Sequence, residues 1–200
     1  MRSKCFAIVV MCSAVAAFGQ TFEAAITGGP TVLAGGSITP SLSGVPGAGD
    51  DLKLDNGWNL GFHITLNPYR IFGYEFGYIY NRTSAVVGGV SQGGMAIHDG
   101  FGDALIYGTK EGSRIRPFGA AGINFSNFVL PGQSAQFGGG QNKFGFNYGA
   151  GIKIKVKGSW QARFDIRQFN TGKPDFGGIP GVSGRLLQTQ ISAGIGFAMY

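Results

Sequence analysis

Residues 144–156, FGFNYGAGIKIKV, place an apolar side chain at every second position. Phe144, Phe146, Tyr148, Ala150, Ile152, Ile154 and Val156 share one face, and Gly145, Asn147, Gly149, Gly151, Lys153 and Lys155 share the other. A period of two is the mark of a β-strand. Thirteen residues exceed the usual strand of a half-buried sheet, about 5–6 residues long. The polar face is also unusual, because it is glycine, asparagine and isolated ions rather than a dense mixture of Lys and Glu.

The same alternation recurs along the chain. It runs through 58–66 (Trp58, Leu60, Phe62, Ile64, Leu66), 72–80 (Phe72, Tyr74, Phe76, Tyr78, Tyr80), 160–168 (Trp160, Ala162, Phe164, Ile166) and 191–199 (Ile191, Ala193, Ile195, Phe197, Met199). Three further segments carry it less cleanly. Residues 21–28 can begin a sheet. Residues 114–127 set Ile115, Pro117, Ala121, Ile123 and Phe125 against Arg116, Phe118 and Asn124. In 97–108, Phe101, Leu105 and Tyr107 share a face with Asp99 and Asp103, a conflict that predicts a bulge or register change. The strands total eight.

Tight turns are expected at 67–70, 109–113 and 157–159. The other connections, 29–56, 81–96, 128–141 and 170–184, are long and rich in Gly, Ser, Pro and Asn. In an antiparallel meander long and short connections then fall at opposite ends, the asymmetry of outer-membrane barrels.

Alternation does not say which face is buried, and a soluble eight-stranded barrel would turn the apolar face inward. Three features favour lipid on the outside. The polar face is small enough for a narrow lumen. Aromatic residues gather at strand ends (Trp58, Tyr69, Phe72, Tyr80, Tyr107, Phe144, Trp160), as in interfacial girdles. Charged residues are only 13 % of the chain and aromatics 13 %. The expected fold is all-β, an eight-stranded antiparallel up-and-down transmembrane β-barrel over 20–200. Closure satisfies every backbone group within hydrocarbon. Lipid-facing candidates are Trp58, Phe62, Phe76, Tyr78, Phe144, Phe146, Tyr148, Ile152, Phe164 and Phe197.

Residues 1–19 read as a secretory signal peptide: basic Arg2 and Lys4, an apolar run from Cys5 to Phe18, and small residues for a cut at Ala17-Phe18-Gly19, with Ala14-Val15-Ala16 as the other candidate. The alternative is an uncleaved anchor. Both cysteines, Cys5 and Cys12, lie in this segment, which leaves the mature chain without a disulfide or thiolate metal site. Removal of Arg2 and Lys4 leaves 14 basic and 10 acidic residues, without a run that would bind nucleic acid.

The lumen is expected to hold a charge network of Glu75, Arg116, Lys153, Arg163, Asp165 and Arg167. Unpaired ions in so narrow a space are costly. Glu75 and Asp165 are therefore expected to pair with some of the cations, and Glu75 or Asp165 with Lys153. Lys155 and Arg167, near strand ends, are expected to reach water.

At this point the chain resembles a known family, the small eight-stranded outer-membrane barrels of the OmpA/OmpX type. The resemblance rests on Arg116-Pro117-Phe118-Gly119, Phe146-Asn147-Tyr148-Gly149-Ala150-Gly151 and Gly194-Ile195-Gly196-Phe197. It implies location in the outer membrane of a Gram-negative-type bacterium, contact with membrane lipid and lipopolysaccharide, and handling by the barrel-assembly machinery. The family's terminal aromatic is matched by Tyr200, one step out of phase with Met199 and Phe197. No peptidoglycan-binding domain is expected after the last strand.

Fold does not fix function. His63, mid-strand and lumenal, and His98, at a strand mouth, lack an evident nucleophile, so an enzyme is not expected. Asp50, Asp51 and Asp55 match no calcium-loop spacing, and Gly138–Gly140 and Gly149–Gly151 form no phosphate cradle. No cofactor or metal is expected. The leading reading is a structural or surface-interaction role through long extracellular loops, chiefly 29–56 with Val32, Leu33 and Ile38, toward a partner the sequence does not name. The alternative is a narrow pore for ions or small solutes, and behind it a lipid-modifying outer-membrane enzyme.

Overall fold

In the computed structural model the described residues are 21–34, 52–87, 89–129, 132, 140–174 and 184–199. They form nine strands: β1 (Thr21–Ala34), β2 (Leu52–Leu54), β3 (Gly57–Tyr69), β4 (Phe72–Val87), β5 (Val90–Tyr107), β6 (Ile115–Val129), β7 (Gln141–Lys157), β8 (Trp160–Gly172) and β9 (Arg185–Met199). Eight of them close into a barrel in the order β1, β3, β4, β5, β6, β7, β8, β9, with β9 returning to β1. Every pairing is antiparallel. The short β2 adds to the C-terminal end of β4.

The register fixes the stagger. Paired residues lead from Ile26 through Phe62, Tyr78, Gly100 and Phe125 to Phe144. In the other direction they lead through Ile195 and Ala162 to Ile154. The two routes reach β7 ten residues apart, so the strands tilt strongly, in line with the ~35–45° of closed barrels. The barrel strands run 13–18 residues, against the ~9–11 needed to cross hydrocarbon. The excess lies at the end away from the tight turns.

That extension corrects the expected loops. Residues 81–96 are not a long connection: β4 and β5 stay paired to Val87↔Val90, with Gly89 in the turn at φ 81°. The inward Asn81, Thr83 and Ala85 continue the alternation, so polar composition alone did not end the strand. Residues 29–34, 128–129 and 170–172 are strand as well. At the other end the turns are short, at 70–71, 108–114 and 158–159, with Gly158 at φ 57°.

The expected irregularity in 97–108 is also absent. Residues 96–107 pair with β6 without interruption, and the nearest shift lies at Ala85/Val86. Asp99, Phe101, Asp103, Leu105 and Tyr107 all point into the lumen. They mix because that face is a packed core, whereas Ala96, His98, Gly100, Gly102, Ala104 and Ile106 face outward. Tyr107 is accordingly 4 % exposed and belongs to the lumen, not to an interfacial girdle.

Elsewhere the outer face is largely apolar. Trp58, Phe62, Phe76, Tyr78, Phe144, Phe146, Tyr148, Phe164 and Phe197 are all exposed on it, and Ile152 is half-buried between outward Pro117 and Phe164. Aromatic pairs brace this wall: Trp58 with Tyr80, Phe125 with Phe144, and Trp160 with Phe197. No helix among the described residues is long and apolar enough to cross a membrane. Residues 1–19, Ile38, Asp50, Asp51, Gly138, Gly139 and Tyr200 lie outside the described residues.

Candidate functional site

The lumen is the site, and successive inward positions of each strand fill it in layers. Nearest the short turns, β1 contributes Glu23. Lys153 from β7 forms an ion pair with it, and Asn67 Nδ2 and Gln161 Nε2 donate to it at 2.9 and 3.1 Å. Arg116, on the diametrically opposite strand β6, approaches the same carboxylate at 3.5 Å. Its guanidinium lies 3.7 Å from the Tyr107 ring centroid. Lys153 Nζ also donates to Tyr107 Oη at 3.1 Å and Thr65 Oγ1 at 3.3 Å.

The central layer is built on Glu75 of β4, which has no exposed surface. Arg163 of β8, on the facing wall, grips it bidentately: Nη1 to Oε2 at 2.6 Å and Nη2 to Oε1 at 2.9 Å. Arg167 Nη2 adds a bond at 2.5 Å, and Thr65 Oγ1 donates at 2.7 Å. Asp165 sits between the two arginines on β8. Its Oδ2 accepts from Arg163 Nε at 2.7 Å, and its Oδ1 is 3.7 Å from Arg167 Nε. Arg167 pairs in addition with Asp103 of β5. The spacing 163, 165, 167 turns all three inward because alternate residues share a face. Bidentate Arg–carboxylate geometry is the strong form of this contact.

Glycines make the room. A methyl at Gly151 would fall 2.5 Å from Phe118 Cζ and 2.7 Å from Asp165 Cβ, and one at Gly149 would fall 2.8 Å from Arg167 Cγ. Above the arginines, Phe101 stacks under Arg167 at 4.5 Å and meets Phe169 edge-on. Asp99 follows, held by neutral donors alone: Asn81 at 2.8 Å, Ser126 at 2.5 Å, Gln188 at 2.6 Å and Gln190 at 3.3 Å. Leu33, Leu54, Met95, Ile97, Phe128 and Leu186 form one buried apolar cluster at the end away from the short turns.

The structure places all six residues of the expected network in the lumen, with three differences. Lys153 pairs with Glu23, not with Glu75 or Asp165. Arg167 does not reach water: it is 1 % exposed and pairs with Glu75 and Asp103, because β8 continues to Gly172 and this position is not at its end. Leu33 is buried in the apolar cluster rather than offered to a partner, while Val32 faces outward. Sequence reasoning missed Glu23, Asp103 and Tyr107. Each had a signal, a polar side chain in phase with the inward set.

Thr27 Oγ1 lies 2.8 Å from His63 Nε2, and His63 Nδ1 lies 3.3 Å from Glu75 Oε1. This has the connectivity of a hydroxyl, base and carboxylate. All three groups are 2 % exposed or less, and Glu75 is already taken by two arginines. His98 lies on the outer face, its Nδ1 2.5 Å from the Tyr78 hydroxyl. Asp55 is exposed and accepts from the Asn56 amide at 2.8 Å.

A family model described as "Outer membrane protein beta-barrel domain" matches residues 5–198. No curated protein sequence matches the chain. Among solved structures, the outer membrane protein AlkL in lipid bilayers is similar, with a TM-score of 0.57 at 12 % identity over 90 % of this chain and 89 % of that one. Neisserial surface protein A gives 0.55 at 12 % over 90 % and 98 %. OprG of Pseudomonas aeruginosa gives 0.54 at 12 % over 90 % and 95 %. Identities this low carry the fold alone.

Proposed function

Since the chain belongs to the outer membrane protein β-barrel family, we propose that it is a plugged barrel serving a structural or surface-interaction role at its extracellular end. The observation that carries this is the Glu75–Arg163–Arg167–Asp165 cluster, which joins opposite walls across the lumen. The apolar cluster around Phe128 lies above it. An eight-stranded interior is just wide enough for side chains to fill it, and here they do. An ion crossing such a lumen would have to part a bidentate pair and then traverse six apolar side chains.

Lipopolysaccharide around the wall, the assembly machinery during insertion and export through residues 1–19 complete the proposal. The protein is not an enzyme in this reading, because the Thr27–His63–Glu75 arrangement has no approach for a substrate.

Single-channel recording tests it. Protein refolded into planar bilayers is expected to give no discrete current steps. Steady openings by the wild-type chain would establish the narrow-pore alternative.

A further inference from the structure

The outer wall is not apolar throughout. On β7, β8 and β9, the outward Tyr148, Gln168 and Thr189 are register partners. The Tyr148 hydroxyl donates to Gln168 Oε1, and Gln168 Nε2 donates to Thr189 Oγ1 at 3.2 Å. Toward the extracellular rim, Arg185 Nη1 donates to outward Asn170 Oδ1 at 3.2 Å, and its guanidinium lies 5.2 Å from the Phe146 ring. On β3 and β4 the corresponding stretch holds the aromatic Trp58, Tyr78 and Tyr80 together with Arg82. A row of amide and hydroxyl groups facing lipid is costly in hydrocarbon unless polar partners meet it.

Directly below this row the same wall is indented. A groove of about 400 Å³ opens across β1, β9, β8 and β7, lined outward by Gly28, Pro30, Ile152, Phe164, Ile191 and Ala193. Its walls are apolar and it opens to the membrane. An exposed guanidinium above an apolar trough is complementary to one kind of occupant: a molecule with an anionic head and a hydrocarbon tail.

We propose that the β7–β9 wall binds one phosphate-bearing lipid of the outer leaflet. Its phosphate lies against Arg185 and the Asn170–Gln168–Thr189 row, and an acyl chain lies in the groove. The orientation of the site rests on the proposed placement of the long strand ends outside the cell. A held lipid would give one side of the barrel a fixed neighbour, which suits a surface-interaction role.

The probe is lipid A in nanodiscs of phosphatidylcholine, with the retained lipid counted by native mass spectrometry on the full barrel. Wild-type protein is expected to hold one lipid A and not its dephosphorylated form. Arg185→Gln and Ala193→Phe are each expected to weaken retention about tenfold or more. Arg82→Gln, outward on the opposite wall, is expected to leave it unchanged. Heat-modifiable gel mobility verifies that each variant is folded. Equal loss with Arg185→Gln and Arg82→Gln, or equal retention of the phosphate-free lipid, would mean only annular lipid and overturn the site. A wild-type chain that conducts ions but retains lipid A would overturn the plug and leave this site standing. One that neither conducts nor retains lipid A would overturn the site alone.

Discussion

Replacing Glu75 with alanine is expected to lower the unfolding free energy in bilayers by about 3–5 kcal/mol, the range for removing one partner of a buried ion cluster. The size follows from what is left behind. Glu75 is the shared acceptor of Arg163 and Arg167, both 1 % exposed or less. Arg163 would keep Asp165 and Arg167 would keep Asp103 at their present distances, but Arg163 Nη1 and Nη2 and Arg167 Nη2 would lose their acceptor inside the lumen. A control separates pairing from packing. Exchanging Glu75, Asp103, Arg163, Asp165 and Arg167 together for Met or Leu removes the whole cluster without leaving an unpaired charge, and such exchanges are often neutral or stabilising. Urea unfolding in vesicles measures both. A Glu75→Ala loss under about 1 kcal/mol, a value typical of exposed pairs, would show that the lumen is wet enough to screen these charges.

The second large effect is on the other face. Phe164 lies on the outward side of β8 midway between Trp160, at the periplasmic end, and Gln168, where polar side chains begin. Phe164→Arg is expected to cost about 2–4 kcal/mol in a bilayer, the midplane value for an arginine facing lipid. Phe144→Arg, nearer the extracellular rim, is expected to cost about 0–1 kcal/mol. The gradient matters more than either value. A soluble barrel with its apolar face inward would show no such dependence on depth, because both substitutions would bury a charge in a core.

The outer wall was legible in the sequence because lipid imposes one requirement on every outward position. Phe144, Phe146, Tyr148 and Ile152 satisfy it without exception, and the pattern is local. The lumen imposes no single requirement. Along β5, Asp99, Phe101, Asp103, Leu105 and Tyr107 share one inward face, and each is chosen by what reaches it from another wall. Asp103 meets Arg167, Tyr107 meets Arg116 and Phe101 lies under Arg167. Glu23 and Lys153 are 130 residues apart in sequence, and only closure and stagger bring them together. The ends of β4 and β5 were hidden for a different reason. Toward the strand ends away from the short turns the outward residues are no longer oily, so Arg82 and Ser84, alternating with inward Asn81 and Thr83, read as loop although their backbone stays paired.

The central claim is that β7 is one wall of a closed barrel with its even-numbered residues in lipid. The chain has no cysteine after Cys12, so single cysteines at each position from 145 to 155 can carry a spin label in vesicles. Collision with oxygen, which concentrates in the lipid phase, is expected to rise and fall with a period of two. It should be high at 146, 148, 150, 152 and 154 and low at 147, 149, 151 and 153. High oxygen accessibility at 153 with low accessibility at 152 would contradict the assignment of faces, and a flat profile would contradict the strand itself.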